Sequence, residues 1–143
     1  MPNLNENTEP LTIEKYLPHN YVAEKIILTS LLISPEALEI VLRSVKVETF
    51  YFQNHQELYK AILEMHTNNI PIDIITLNTF LQDNGQLEQI GGTKILTDLL
   101  NHVPNLIYLE QYINLLHDKF LRRSIIKFYQ KKYKPLLVKR SAS

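Results

Sequence analysis

The sequence has no cysteine, and its 143 residues include only three glycines and four alanines. Without cysteine there is no disulfide, no thiolate metal site and no cysteine nucleophile, and a reducing compartment is the natural home. Long apolar runs are also missing. The stretch 26–35, free of charge and of histidine, is far short of the roughly 20 residues a membrane span requires, so no membrane partner is expected. The start, MPNLNENTEPL, has neither the basic residues nor the apolar stretch of a secretory signal, and nothing marks the chain for export. Isoleucine, asparagine, lysine and tyrosine are plentiful where glycine and alanine are scarce. That bias is expected of a genome rich in A and T, as in many bacteria and most plastids.

One more absence is local. Residues 119–143 contain no acid but nine bases, whereas residues 1–118 hold all 15 acids against six bases. A formal net charge of zero therefore conceals a −9 body and a +9 end. Such an end suits an anionic partner, whether nucleic acid, the acidic body of another subunit or a charged surface; a solvated helix face is the plainer reading.

What is present is one domain's worth of core. An apolar share of 45% fills a single hydrophobic interior at this length. Helical punctuation is dense and strand alternation nearly absent, so the fold class is all-α. Residues 1–16 read as a polar, flexible arm. Asn20 caps a helix over 21–33 whose apolar residues run nearly all round it, the mark of a central element. Ser34, Pro35 and Glu36 give a cap, a first-turn proline and a dipole-favoured acid for a second helix with the stripe Leu38, Val41, Leu42, Val45. Asn54 and Glu57 have capping-box spacing for a helix to about Thr67, with Leu58, Ile62 and Met65 or His66 inward. Thr76 is positioned to cap a short helix that Gly85 ends in a left-handed conformation. Gly91 and Gly92 break the chain before a helix containing Ile95, Leu96, Leu99 and Leu100. From about 106 to 134 nothing interrupts the helical pattern, and Pro135 is expected to stop it, leaving 135–143 as a loose tail. Such a helix is about 40 Å long and must project from a compact head over 17–105.

Few constellations support chemistry. Gly91-Gly92-Thr93-Lys94 resembles the end of a phosphate-binding loop, but the preceding strand and first glycine are missing, which favours a helix-start turn. His19, His55, His66, His102 and His117 include no pair at i, i+4, so they read as structural histidines rather than metal ligands. Glu36 and Glu39 are explained by the helix dipole. Asp73, set between Ile72 and Ile74, needs a partner, most simply nearby backbone amides. Catalytic, cofactor-binding and metal-ligating residues are thus expected to be none.

The order of short motifs is more specific. LeuProHisAsn at 17–20, Ala23-Glu24, ProGluAla at 35–37, ThrPheTyr at 49–51, His55, ProIleAsp at 71–73, ThrLeu at 76–77, Gly85-Gln86-Leu87, IleGlyGly at 90–92, Val103-Pro104 and Arg122-Arg123 together resemble the N-terminal domain of the DnaB family of replicative DNA helicases, over roughly 17–126. The resemblance implies a helical head followed by a helical hairpin, without catalytic activity of its own. It also implies a place in the collar of a hexameric ring, contact with primase and a role in DNA replication, with ATP and magnesium handled by a separate motor domain. The cell compartment implied is the bacterial cytoplasm and nucleoid or the plastid stroma. Two departures bear on structure. The family's LeuGly in the first helix is Leu28-Thr29 here, which predicts a looser helix contact, and the hairpin's second helix is not expected after Lys134.

The expected protein–protein surface is the apolar side of the long helix: Tyr112, Leu116, Phe120, Leu121, Ile125 and Phe128. Self-association, as a dimer or within a hexameric ring, is the expected consequence. Arg122, Arg123, Lys127, Lys131, Lys132 and Lys134 are the candidate nucleic-acid contacts, since bases interleaved with aromatics can neutralise phosphates and stack. A small non-specific nucleic-acid-binding protein is accordingly the alternative function.

Overall fold

A computed structural model describes residues 17–101 and 103–142, with side chains as far as Tyr133. The described residues form six α-helices joined by short 3-10 turns, with no strand among them. The all-α reading therefore holds.

Helix α1 (Tyr21–Ile33) begins where the Asn20 side chain accepts from the Ala23 amide at 2.9 Å. Every residue from Ile27 to Leu32 is buried, more than one full turn, so α1 occupies the centre of the head. Helix α2 (Pro35–Ser44) follows at once, its Ser34 cap accepting from Ala37 and Pro35 preset in the first turn. Ala37, Val41 and Val45 supply its buried edge.

Helix α3 (Gln53–Thr67) starts differently from the sequence expectation. Its N-cap is Phe52, which has no capping side chain, and the Asn54 carboxamide only accepts from the adjacent His55 amide. The amides of the connector just before it, Tyr51 and Phe52, are met by a carboxylate from α1, described below. His55, Leu58, Tyr59, Ala61, Ile62 and Met65 line the inward face, while His66 is exposed. Helix α4 (Ile74–Asp83) has Asp73 rather than Thr76 as its N-cap. Asp73 accepts from the Thr76 amide at 2.8 Å, and the Thr76 hydroxyl accepts from the Asp73 amide at 2.9 Å. The two residues are the halves of one capping box, and those bonds hold the Asp73 carboxyl below its ordinary pKa. Gly85 follows at φ 65°. Helix α5 (Thr93–Leu99) is entered through Gly91 at φ 113° and Gly92 at φ 76°, both in conformations that favour glycine. The GlyGlyThrLys segment is thus a helix-start turn.

The Leu28-Thr29 departure places a buried hydroxyl in the contact between α1 and α5. The buried Thr29 hydroxyl lies 2.7 Å from the Leu99 carbonyl and 2.9 Å from that of Lys25, where its one proton can serve the C-terminal end of α5. The threonine fastens α5 to α1. Lys25 and Asp98 add an ion pair at 3.3 Å across the same contact.

A 3-10 turn at Leu106–Tyr108 leads into α6 (Leu109–Ala142), a 34-residue helix of about 50 Å. It passes through Pro135, which the sequence reading takes as its stop, so that 135–142 are helical and not a loose tail. Proline within a helix forfeits one hydrogen bond and crowds the preceding turn, whereas elongation of an established helix gains a bond at every other residue. Leu109, Ile113 and Leu116 are buried in the head, and only the second half of α6 leaves it.

Candidate interaction surface on the C-terminal helix

The point where α6 leaves the head is held by a buried polar cluster. Glu24, on α1, is fully buried. One of its oxygens accepts from the Tyr51 amide at 2.7 Å; the other accepts from the Phe52 amide at 3.3 Å and faces the His55 ring Nδ1 at 2.8 Å. The carboxylate thus serves the amides of the connector that enters α3, which the local sequence leaves uncapped. Arg123 of α6, 4% exposed, donates to the Pro18 and Thr49 carbonyls at 2.8 Å each, with its guanidinium 5.4 Å from the Tyr51 ring centre. Burial draws the Arg123 pKa below its ordinary value, and the negative charge of Glu24 opposes that pull. His19 stacks on Tyr51 at 4.5 Å, closing the cluster from outside. Glu24, Arg123 and the rings of His19, Tyr51 and His55 therefore join α1, the 49–52 connector, the start of α3 and α6 at a single place.

Around Arg123 the outer side of the helix loses its cover. Leu121 and Ile125 are 59% exposed and Phe128 is 65% exposed. They lie at i, i+4 and i+7 and so share one face. Tyr129 and Tyr133 stand beside this stripe with ring centres 4.8 Å apart. Lys127, Lys131 and Lys132 are exposed along the same segment, and the Lys132 ammonium lies 5.8 Å from the Phe128 ring centre. Arg122 is exposed but engaged, its guanidinium 2.9 Å from Asp118 one turn back.

The expected protein-contact residues therefore divide. Leu121, Ile125 and Phe128 form an open apolar stripe. Leu116 is core, Tyr112 packs half-buried against the core, and Phe120 is half-buried with the Arg123 guanidinium 5.8 Å from its ring centre. The reason is rotation: a repeat of 3.6 residues carries the apolar stripe around α6, so its early members face the head and its late ones face outward. Among the candidate nucleic-acid contacts, Arg123 is corrected outright, because both its hydrogen-bonding ends are used inside the protein. Lys127, Lys131 and Lys132 remain on the surface, and the side chain of Lys134 lies outside the described residues.

Sequence reasoning singled out Glu24, His55 and Arg122-Arg123 separately without joining them; a glutamate inside an apolar helix, which demands a buried partner, was the available signal. It also missed a second apolar area around the α5–α6 connection, where Val103 is 81% and Ile107 79% exposed and a cleft of about 630 Å³ runs between Ile40 and Ile113. Among the described residues no group of three His, Asp or Glu side chains is arranged to hold a metal ion, and no helix is long and apolar enough to cross a membrane.

Comparison with known proteins places this arrangement. Residues 16–118 match the family described as DnaB-like helicase N terminal domain. A probable replicative DNA helicase of Trieres chinensis is 59% identical over 127 residues, covering 89% of this chain and 28% of that protein. The replicative DNA helicase DnaB of Synechocystis is 35% identical over 109 residues, covering 76% of this chain and 12% of that protein. The chain thus spans less than a third of the length of these relatives. A crystal structure of the N-terminal domain of DnaB helicase from Mycobacterium tuberculosis superposes with a TM-score of 0.75 at 28% identity, over 85% of this chain and 89% of the other. The chain belongs to the DnaB-like helicase N-terminal domain family, the helical N-terminal part of replicative DNA helicases.

Proposed function

We propose that this chain acts in DNA replication as the non-catalytic assembly module of a replicative helicase, building the collar of its ring and receiving primase. In this reading ATP and magnesium are the business of the motor part of the parent helicase, and the chain itself handles neither. The observation that supports it is the outward half of α6, a rigid helix clamped at Arg123 whose Leu121, Ile125 and Phe128 are open to a partner helix. Burying that stripe against a second helix removes apolar area from water at about 25 cal/mol per Å². The test is light scattering on the full chain beside an Ile125→Asp, Phe128→Asp variant, followed by titration of primase from the same genome. Concentration-dependent association and primase binding, both weakened in the variant, support the reading. A wild-type chain that is monomeric at high concentration and does not bind primase refutes it. Bacterial or plastid residence follows from the same reading.

A second reading has its own observation. Lys127, Lys131 and Lys132 give α6 a basic flank beside exposed aromatic rings, which supports non-specific contact with DNA in addition to assembly. Such binding weakens at every sequence alike as salt rises.

A further inference from the structure

We infer that Arg122, Tyr129 and Tyr133, with Lys132 beside them, form a stacking site for the unpaired bases of a single-stranded nucleic acid, on a side of α6 separate from the apolar stripe.

The inference rests on the nucleic-acid contact proposed above and says which part of the nucleic acid is read. Arg122, Tyr129 and Tyr133 stand at i, i+7 and i+11, which at about 100° per residue brings them within about 20° of one another round the helix. Their row lies about a quarter-turn from the line of Leu121, Ile125 and Phe128. A protein contact confined to the stripe therefore leaves the row open.

Both halves of a nucleotide find a partner there. Tyr129 and Tyr133 are exposed, with ring centres 4.8 Å apart and planes tilted by 38°. The Lys132 ammonium lies 5.6 Å from the Tyr133 ring centre and 5.8 Å from that of Phe128. Its flexible stem lets that charge move from the rings to a phosphate. Arg122 uses its Nε on Asp118, an exposed pair of the kind that contributes little to stability, and its two NH2 groups can meet a second anion. No acid occurs between Lys119 and Ser143 to repel one.

The rings decide between single and double strands. Neutralising phosphates needs only the bases of α6, and a duplex keeps its own bases stacked inside, meeting such a surface through its backbone. Unpaired bases have open faces, and every base stacks on an aromatic ring whatever its identity. One stacked base is worth about fivefold to 150-fold in affinity. The paired tyrosines thus add to the lysines a preference for unpaired strands without a preference for sequence.

The test uses the full chain and three probes of equal length: oligothymidine, the same strand with abasic sites in place of its bases, and a duplex. Oligothymidine should bind about tenfold more tightly than the abasic strand, within the range that one stacked base supplies. Tyr129→Leu with Tyr133→Leu should remove that difference, leaving duplex binding and the slope against salt unchanged, and Tyr129→Phe with Tyr133→Phe should keep it. Lys127→Gln with Lys131→Gln should flatten the slope and also keep it. Because the sequence has no tryptophan, Tyr129→Trp provides a single reporter, whose fluorescence oligothymidine should quench and the abasic strand should not. Equal binding of oligothymidine and the abasic strand, or a leucine pair that weakens duplex binding as much, would overturn the inference and leave phosphate contact standing. No binding of any probe at low salt would overturn both. A leucine pair that weakens self-association but not oligothymidine binding would assign the row to a protein interface instead. Oligouridine should bind as oligothymidine does, since stacking reads the ring face and not the 2′-hydroxyl; a strong preference for either would reveal a contact the row does not contain and would equally overturn it.

Discussion

Replacing Glu24 by glutamine tests whether the buried cluster holds α6 to the head. The substitution keeps the side chain's shape and removes its charge. Two donors converge on one Glu24 oxygen, the Phe52 amide and the His55 ring, and one on the other, the Tyr51 amide at 2.7 Å. Glutamine can place its carbonyl at only one of these positions, and its NH2 group must then oppose a donor. The economical choice keeps the Phe52 and His55 contacts and leaves the Tyr51 amide facing another donor inside a site with no solvent exposure at Glu24. Orphaning one buried amide costs about 1–3 kcal/mol. Loss of the charge on the remaining two contacts and beside Arg123 adds about 1 kcal/mol. A destabilisation of about 3 kcal/mol is expected, which at a urea m-value of about 1.5 kcal/mol/M lowers the midpoint by about 2 M with m unchanged. Urea titration followed by circular dichroism reads it directly. A change below about 0.5 kcal/mol would refute the reasoning, since such a value belongs to surface substitutions remote from any special feature.

Other perturbations report on separate parts of the structure. Arg123→Met should lose the two bonds to Pro18 and Thr49 and cost about 3 kcal/mol, and combined with Glu24→Gln it should fall short of additivity in a double-mutant cycle, because the two residues share one site. Thr29→Val should cost about 1–2 kcal/mol by leaving the Leu99 carbonyl without its donor, with faster hydrogen exchange in α5 as the local readout. Asp73→Ala should lower the urea midpoint as a lost N-cap. The same carboxyl has a folded pKa below its ordinary value, so its contribution is present above the unfolded pKa and lost as pH falls through the folded one; Asp73→Asn should flatten that acid limb. Burial raises the Tyr59 pKa to about 12. Its contribution is complete below the unfolded value of about 10 and is lost as pH rises towards 12; alkaline titration of stability, absent in Tyr59→Phe, checks this.

The head was legible wherever a signal is local. Asn20, Ser34, Gly85 and the paired glycines 91–92 act within a turn of themselves, and the structure places each where its chemistry demands. Asp73 and Thr76 were each read as a cap separately, and only their shared box was missed. The failures are those of long range. The start of α3 looked like an Asn54 capping box, but the helix begins at Gln53 behind Phe52, and the connector that leads into it is fixed by Glu24, roughly thirty residues away in sequence, which accepts from the Tyr51 and Phe52 amides. Pro135 looked like a stop because a proline's local preference was weighed without the length of helix already formed behind it.

The interaction surface shows the same division, and there it decides function. Sequence periodicity places Leu116, Phe120, Ile125 and Phe128 on one drifting stripe but cannot say where along α6 the head stops covering it. The structure puts that limit at Arg123, a residue whose charge suggested solvent or nucleic acid. Desolvating a guanidinium is costly unless its donors are met, and here two carbonyls meet them while Glu24 supplies opposite charge nearby. That cost has a structural consequence: the helix can sit in only one direction relative to α1 and the 49–52 connector without stranding a buried charge. The orientation of Leu121, Ile125 and Phe128 relative to the head is therefore set from inside the protein, before any partner arrives. The collar role proposed above, which sets neighbouring copies at a fixed angle, requires that rigidity at the base of the contact helix, and an exposed arginine at 123 would not supply it.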